Sequence, residues 1–298
     1  VSYDEDEEEE YDPFTQADNE GKYWYYFKSN GRKVTPDEDS GNEYGTVRID
    51  GDYYCMNSDG AMQYGWKNVE GGSSITSYKY FKSDGKMVTG WYSLAAPRGI
   101  DDSSDEIHWY YFNSKGVPKA DEDGIPTKDD LLTINGKTYL FNNVGNPVYG
   151  LRKVYLGESE DESNYTSYYF GEDDNDCWAH SGKIKVEEDS GEENTYYFTS
   201  AGRGFTGIKD NYLYYVGKLQ VAQNDKYELI NVPGKDYAVM VNSSGKVMKS
   251  TTVKNSDDIK YKTNSSGQVI EIDGEEVSGV TGIDPEEPDY VTDDWYSN

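Results

Sequence analysis

The sequence predicts an all-β protein, an elongated solenoid of about ten stacked β-hairpin repeats with inserted loops. An aromatic strand followed by a polar turn that ends in glycine recurs along the chain. In several copies a second glycine, followed by Trp, Leu or Ile, comes five residues later. Aliphatic residues are sparse, whereas 30 of the 298 residues are Tyr. Such a composition favours burial of aromatic rings in thin layers over one deep aliphatic core.

The copy at residues 79–91 preserves the repeat best and reads Lys-Tyr-Phe-Lys-Ser-Asp-Gly-Lys-Met-Val-Thr-Gly-Trp. Aromatic residues on either side of a Ser-Asp-Gly turn predict a β-hairpin, which needs neighbours to be stable in water. We expect Gly85 to adopt a positive φ and Gly90 to let one hairpin pass close to the next. The other turn glycines are Gly31, Gly60, Gly116, Gly145, Gly182, Gly202, Gly217, Gly245 and Gly267.

Polar stretches of uneven length separate the copies and are predicted to be loops that project from one side. They cover residues 68–77, 93–107, 120–130, 157–166 and 187–194. No segment shows convincing helical periodicity.

The domain organisation follows from these patterns. Residues 1–20 are predicted to be an acidic disordered arm or linker, because residues 4–10 are seven consecutive acids. The repeat domain covers residues 21–277, with better-preserved copies at 21–120 and degenerate copies at 121–277. Residues 278–298 are predicted to be a stiff acidic tail. The acidic start without Met is expected of a trimmed or mature fragment.

Charge and hydropathy exclude some partners. A formal net charge of -29 argues against nucleic acid and against an anionic membrane surface. No apolar run approaches the length of a membrane span, so membrane insertion is not predicted. The acidic loop with Asp173, Asp174 and Asp176 is interpreted as solvated, with calcium as the alternative; no other cofactor is predicted.

Catalysis within the chain is not predicted. The histidines His108 and His180 lie in no Ser/His/Asp, Cys/His or metal-ligand spacing. Paired carboxylates for glycoside cleavage stay open among 57 acids, but no segment outside the repeats is long enough for a catalytic domain. A catalytic module upstream also stays open. Cys55 and Cys177 are interpreted as buried free thiols, with a single bridge as the alternative.

The repeat resembles the cell-wall-binding repeats of Gram-positive bacteria, of choline-binding and glucan-binding type. The shared pattern is Gly-Trp, a spacer, Trp-Tyr-Tyr-Phe, three residues, Gly, a spacer and Gly-Trp, and it covers about residues 22–276. In that family each repeat is a β-hairpin plus a loop, and hairpins stack into a left-handed solenoid. Ligands bind between hairpins in cages of about three aromatic side chains. The resemblance implies a secreted, cell-wall-associated protein of the bacterial surface.

The resemblance also implies which residues bind the ligand. Trp66 and Trp91 match the Gly-Trp position. The first strand aromatic is matched by Trp24, Tyr78 and Trp109, with Tyr80 and Tyr111 beyond it. In later copies Leu151 and Ile208 replace the Gly-Trp tryptophan, and Thr138, Ser167 and Thr195 replace the strand aromatic. Those layers are expected to be scaffold. For any one of these rings the alternative is burial between layers.

Two functions are compatible with these observations. The first is a non-catalytic module that binds a cell-wall polymer or polysaccharide, choline-substituted or glucan, and anchors a surface protein through many weak sites. Exposed Trp and Tyr rings bind either a quaternary ammonium or a sugar ring, so the aromatics do not choose between these ligands. The second is a structural stalk or adhesin scaffold whose inserted loops contact a host or surface protein.

Overall fold

The structure, a computed structural model, describes residues 23–36, 42–100, 106–157 and 163–291. Its contacts divide into two compact units. Unit 1 contains the described residues up to 124 together with 141–147, and unit 2 contains residues 125–140 and 148–291. The predicted acidic arm at residues 1–20 lies outside the described residues.

Unit 1 is built from small antiparallel sheets. They are ordered β1-β2-β3, β4-β5 and β6-β7. The strands are β1 (Tyr44–Ile49), β2 (Asp52–Asn57), β3 (Met62–Gln63), β4 (Gly65–Asn68), β5 (Tyr78–Phe81), β6 (Gly90–Ala95) and β7 (Ile107–Phe112). A 3-10 turn at Ile75–Ser77 lies between β4 and β5.

Unit 2 is likewise antiparallel. Its strands are β8 (Leu132–Ile134), β9 (Lys137–Tyr139), β10 (Leu151–Tyr155), β11 (Tyr165–Tyr169), β12 (Gly182–Glu187), β13 (Glu193–Phe198), β14 (Gly207–Lys209), β15 (Tyr212–Tyr215), β16 (Lys218–Leu219), β17 (Tyr227–Asn231), β18 (Ala238–Asn242), β19 (Thr252–Lys254), β20 (Lys260–Thr263), β21 (Val269–Ile272) and β22 (Glu275–Glu276). The sheets are β8-β9, β10-β11, β12-β13-β16-β15-β14, β17-β18 and β19-β20-β21-β22.

The all-β prediction is confirmed, because the described residues contain strands, turns and the 3-10 turn but no α-helix. The solenoid and the count of about ten units stay predictions. Within the described ranges, no helix is long and apolar enough to cross a membrane.

The hairpin predicted around the Ser-Asp-Gly turn needs a correction. The turn itself forms, with a hydrogen bond from the N–H of Gly85 to the carbonyl of Lys82 at 2.8 Å. Across the turn the N–H of Lys82 donates to the carbonyl of Lys86 and the N–H of Val88 to that of Tyr80, both at 2.9 Å, around a single bridge between Phe81 and Met87. The longer ladder joins β5 to the preceding β4. The strand after the turn is short because Gly90, with φ 76°, redirects the chain five residues after Gly85.

Consequently four of the five predicted loops fall between paired strands, and the fifth, at 120–130, lies between β7 and β8, which do not pair. Described residues 69–77 lie between β4 and β5, and 96–100 and 106 between β6 and β7. The same holds for β10 with β11 and for β12 with β13. In this register the tryptophan of each Gly-Trp pair lies opposite the tyrosine that precedes the Phe of the next strand. Trp66 lies opposite Tyr80, and Trp91 lies opposite Tyr111.

The prediction for Gly85 is confirmed, whereas the prediction for Gly90 is wrong. Gly85 has φ 80°, as expected, and a Cβ there would also collide with Sδ of Met62. At Gly90 the expected close approach is absent, since a Cβ would meet nothing within 4 Å among the described atoms. The turn glycine therefore supplies both the positive φ and the close packing, whereas Gly90 is needed for its backbone angle alone.

The buried clusters differ in composition, and unit 2 has an aromatic-rich one as well, with Tyr169, Tyr196 and Phe198. One cluster in unit 1 contains Ile75, Val88, Leu94, Tyr110 and Phe112. One cluster in unit 2 is mainly aliphatic and contains Leu213, Ile230, Val232, Val239, Val241 and Val247. Both cysteines are free and buried, which confirms that interpretation.

Candidate functional site

An aromatic cavity of about 520 Å³ lies in unit 1, and we call it the Trp24 pocket. Its lining residues are Trp24, Tyr25, Tyr26, Ile49, Asp50, Tyr54, Met56, Met62, Ser83 and Asp84. The segment with Trp24 is held beside the turn that ends at Gly60 by a bridge between Tyr25 and Ala61. The N–H of Met62 also donates to the carbonyl of Trp24 at 2.9 Å. The Trp24 segment, the sheet β1-β2-β3 and the turn before Gly85 therefore all contribute residues to this cavity.

The Trp24 pocket combines exposed rings, thioethers and carboxylates. The Trp24 side chain is 65% exposed, whereas Met56 is 1% exposed. Asp50 and Asp84 are both exposed. Aromatic faces and polarisable sulfur next to carboxylates attract an organic cation, and the same faces can stack on the C–H face of a sugar. The pocket is thus chemically suited to a quaternary ammonium group or to a pyranose.

Trp66 and Tyr80 are placed differently, since both pack against the core of unit 1. The indole N–H of Trp66 donates to the carbonyl of Ala95 at 2.8 Å. Its ring centroid lies 5.5 Å from that of Tyr80 and 5.2 Å from that of Tyr110. The polar atom of Trp66 is therefore satisfied inside the protein, and its faces are in ring contacts.

Trp91, Trp109 and Tyr111 form a second aromatic group, which we call the Trp91 corner. The rings of Trp91 and Trp109 are nearly perpendicular, with centroids 6.3 Å apart and an interplanar angle of 87°. Tyr111 lies 5.3 Å from Trp91, and Phe141 lies 5.8 Å from it. Because Trp109 is 38% exposed, this corner is open to solvent on one side. It can hold a ligand against two indoles.

The structure thus separates the predicted site residues into distinct places. Trp24 lines its own pocket, Trp66 and Tyr80 pack in the core, and Trp91, Trp109 and Tyr111 form the corner. Tyr78 lies opposite Asn68 at the tip end of the β4–β5 hairpin. Whether any of them binds a ligand stays a prediction.

Sequence reasoning missed several residues of the Trp24 pocket, among them Asp50, Tyr54 and Met56. Met56 stands where most copies of the repeat have Phe, so the aromatic pattern does not mark it. A signal was present for Met62, because it lies two residues after Gly60 as Met87 lies two residues after Gly85. The two acids come from separate turns, and no spacing in the sequence relates them.

Nucleophilic and metal chemistry find little support in the described residues. Burial raises the pKa of Cys55 to about 12 and that of Cys177 to about 11, so neither thiol ionises near neutral pH. His180 pairs with Asp176 at 2.9 Å and stacks on Trp178. In the ranges that the structure describes, no group of three or more His, Cys, Asp or Glu side chains is placed to hold a metal ion.

The chain is similar in sequence to a bacterial glucosyltransferase. Over 198 residues, 60% of this chain, it is 30% identical to glucosyltransferase-S of Streptococcus mutans serotype c. The match spans 12% of that enzyme's length. This similarity confirms the predicted resemblance to repeats of the choline-binding and glucan-binding type. No protein-family model matches the chain.

Solved structures with some likeness are choline-binding proteins of Streptococcus pneumoniae. Choline-binding protein F, crystallised with a peptidoglycan analogue, is 19% identical, with 84% of this chain and 76% of that chain covered and a TM-score of 0.45. CbpJ is 19% identical, with 86% of this chain and 99% of that chain covered and a TM-score of 0.32. TM-scores of this size do not establish a common global arrangement.

Proposed function

We propose that the chain is a non-catalytic binding module that attaches a secreted surface protein to a cell-wall polymer or other polysaccharide. The Trp24 pocket is the observation that supports this proposal most. It presents a largely exposed indole, further tyrosine rings and two carboxylates around one cavity of about 520 Å³. An exposed tryptophan contributes little to folding, so its place beside Asp50 and Asp84 favours a role in recognition.

Two ligand classes fit the pocket. A choline group would gain cation–π attraction from the rings and Coulomb attraction from the acids. A glucan would stack a sugar ring on Trp24 and donate hydroxyl hydrogens to the carboxylates. The similarity to a glucosyltransferase favours the glucan. With the Trp91 corner as a second site, weak single affinities would multiply on a polymer.

Tryptophan fluorescence tests this function. The protein is titrated with choline chloride, with glucan oligosaccharides and with purified cell-wall fragments, and Trp24→Ala is compared with Trp178→Phe. We expect a saturable fluorescence change in the wild type and in Trp178→Phe. In Trp24→Ala the dissociation constant should rise about 2- to 30-fold, because about 0.5–2 kcal/mol of ring–ligand contact is lost. No response to any ligand, together with no retention on cell walls, would contradict the proposal.

The second candidate is a structural stalk or adhesin scaffold. One observation favours it: Trp66, at the Gly-Trp position, uses its N–H and its faces inside unit 1. On this reading the exposed hairpin tips contact a protein. A wild-type chain that is folded, binds no ligand of either class and loses a surface partner when the exposed tip residues Glu70 and Ser73 are replaced by Ala would support the scaffold.

A further inference from the structure

A second cleft lies in unit 2, remote in sequence from every predicted site residue. Its volume is about 630 Å³, within the range of about 300–1,000 Å³ typical of small-molecule pockets. One wall is the turn between β17 and β18, with Lys235, Asp236 and Tyr237. The other wall is residues 281–287 of the predicted acidic tail. We call it the tail cleft.

The tail segment is held in place on one side by β17. The N–H of Asn231 donates to the carbonyl of Ile283, and the N–H of Ile283 donates to the carbonyl of Leu229, both at 2.9 Å. The Asn231 amide adds bonds to the carbonyl of Gly282 at 3.1 Å and to the Asp284 carboxylate at 2.9 Å. This wall of the cleft is therefore fixed by backbone and side-chain bonds together.

On the other side the tail is held by Lys218 and Gln220. The Lys218 side chain is 4% exposed, and its ammonium lies 3.1 Å from Glu188 and 2.5 Å from Glu286. The Gln220 amide donates to the carbonyl of Glu286 at 3.0 Å and accepts from its N–H at 2.6 Å. Because the tail wall is held on both sides before a ligand arrives, little ordering free energy is lost there on binding.

The lining of the cleft selects a chemical class. The lining contains three acids, Asp236, Asp284 and Glu287, and one cation, Lys235, which together give a net charge of -2. That charge disfavours phosphate or uronate ligands. Tyr237 is anchored by packing against the aliphatic core and contributes its remaining ring surface to the lining, as does Tyr215. Several acceptors, one strong donor and two rings suit a neutral ligand with many hydroxyl groups.

We propose that the tail cleft is a second binding site, for a pyranose unit of a neutral polysaccharide. Hydroxyl groups of the sugar donate to the carboxylates of Asp284 and Asp236, Lys235 donates to a ring or hydroxyl oxygen, and a tyrosine ring contacts its C–H face. This site is independent of the Trp24 pocket, so either can exist without the other.

Ligand-observed NMR with neutral trisaccharides (isomaltotriose, maltotriose and chitotriose) tests this proposal on the full chain. Asp284→Asn removes a charged acceptor but keeps an oxygen toward Asn231, and Tyr237→Leu removes the ring but keeps apolar packing. The matched control is Asp257→Asn, an exposed acid of the same unit. Thermal unfolding checks that each variant is folded.

We expect at least one trisaccharide to bind, with affinity reduced about tenfold or more by Asp284→Asn and by Tyr237→Leu and unchanged by Asp257→Asn. Reduced binding in Trp24→Ala with full binding in Asp284→Asn would overturn the tail cleft while supporting the proposed function of unit 1. No binding of any trisaccharide, or competition by choline for the Asp284-dependent signal, would also overturn it.

Discussion

Unit 1 and unit 2 contain the same type of hairpin with different residues at equivalent positions. In unit 1 Trp91 lies opposite Tyr111, and Trp109 of the same hairpin is 38% exposed. In unit 2 Leu151 lies opposite Tyr169, and both Leu151 and Ser167 have no exposed surface. The backbone register is shared, so the side chains alone decide whether a hairpin presents rings or buries them.

In unit 2 the side chain of Lys153 lies over tyrosine rings of its own hairpin. The ammonium of Lys153 lies 4.1 Å from the Tyr165 ring and 5.5 Å from the Tyr155 ring in unit 2. That is the place an external cation would take on those faces. Unit 1 has such pairs too, among them Lys33 at 5.3 Å from the Tyr25 ring, but it leaves Trp24 and Trp109 exposed to solvent.

The largest effect is expected from breaking the buried ion pair of unit 2. Lys218→Met leaves the Glu188 carboxylate, 2% exposed, without its cation, and should destabilise unit 2 by about 3–5 kcal/mol. Denaturant unfolding followed by intrinsic tryptophan fluorescence, with the Trp178→Phe background identifying the signal of unit 2, measures it. Lys185→Met, whose side chain is 69% exposed, is the control and should change stability little. Equal stability of the two variants would show that the tail is not held by this pair.

The next effect separates core tryptophans from exposed ones in unit 1. Trp66→Ala should cost about 3 kcal/mol or more, because it empties a ring-filled space and leaves the Ala95 carbonyl without its donor. Trp24→Ala should change stability by no more than about 0.5 kcal/mol, since its side chain is exposed. Chemical denaturation compares the two. A larger loss at Trp24 than at Trp66 would reverse the assignment of core and site.

A smaller effect is expected when the internal cation of unit 2 is removed. Lys153→Met frees the faces of Tyr155 and Tyr165, and should add about 1 kcal/mol of choline binding in unit 2. NMR titration of choline in a Trp24→Ala background detects this gain, with Lys128→Met as the control. If choline binding does not rise, the lysine is not what closes these rings.

The effect expected at neutral pH is smallest for the cysteines, whose contribution to stability changes only in alkali. Burial raises the pKa of both thiols, to about 12 for Cys55 and about 11 for Cys177, so the folded state keeps them protonated. Their contribution to stability is complete below the ordinary thiol pKa of about 8.5 and is lost as the pH rises towards the folded values. Thermal unfolding between pH 8 and pH 11, about the range of the shift, measures this loss.

Thiol labelling with an aromatic disulfide at rising pH adds a comparison between the units. Cys177 is 5% exposed and has the lower of the two values, so it should react before Cys55, which has no exposed surface. Rapid labelling of Cys55 in the native protein near neutral pH would contradict its burial.

Much of the fold was predictable from local pattern. Aromatic strands and turn glycines such as Gly85 predict β structure because these preferences depend on neighbouring residues only. The longer pairing was not predictable: β5 forms its four-residue ladder with β4 across an insertion, and only one bridge across the adjacent turn. A short sequence separation favoured the turn, but Gly90 ends the strand that would have paired there.

The candidate sites divide in the same way. The sequence by itself determined which residues are aromatic and at which repeat position, and this was enough to single out Trp24, Trp91 and Trp109. Only the tertiary structure decided that Trp66 packs against the core of unit 1 while Trp24 is exposed, and that Asp50 and Asp84 line the same cavity as Trp24. The exposure of a side chain and the charges around it depend on which distant segments pack against it. That packing cannot be derived from the residue spacing within one repeat.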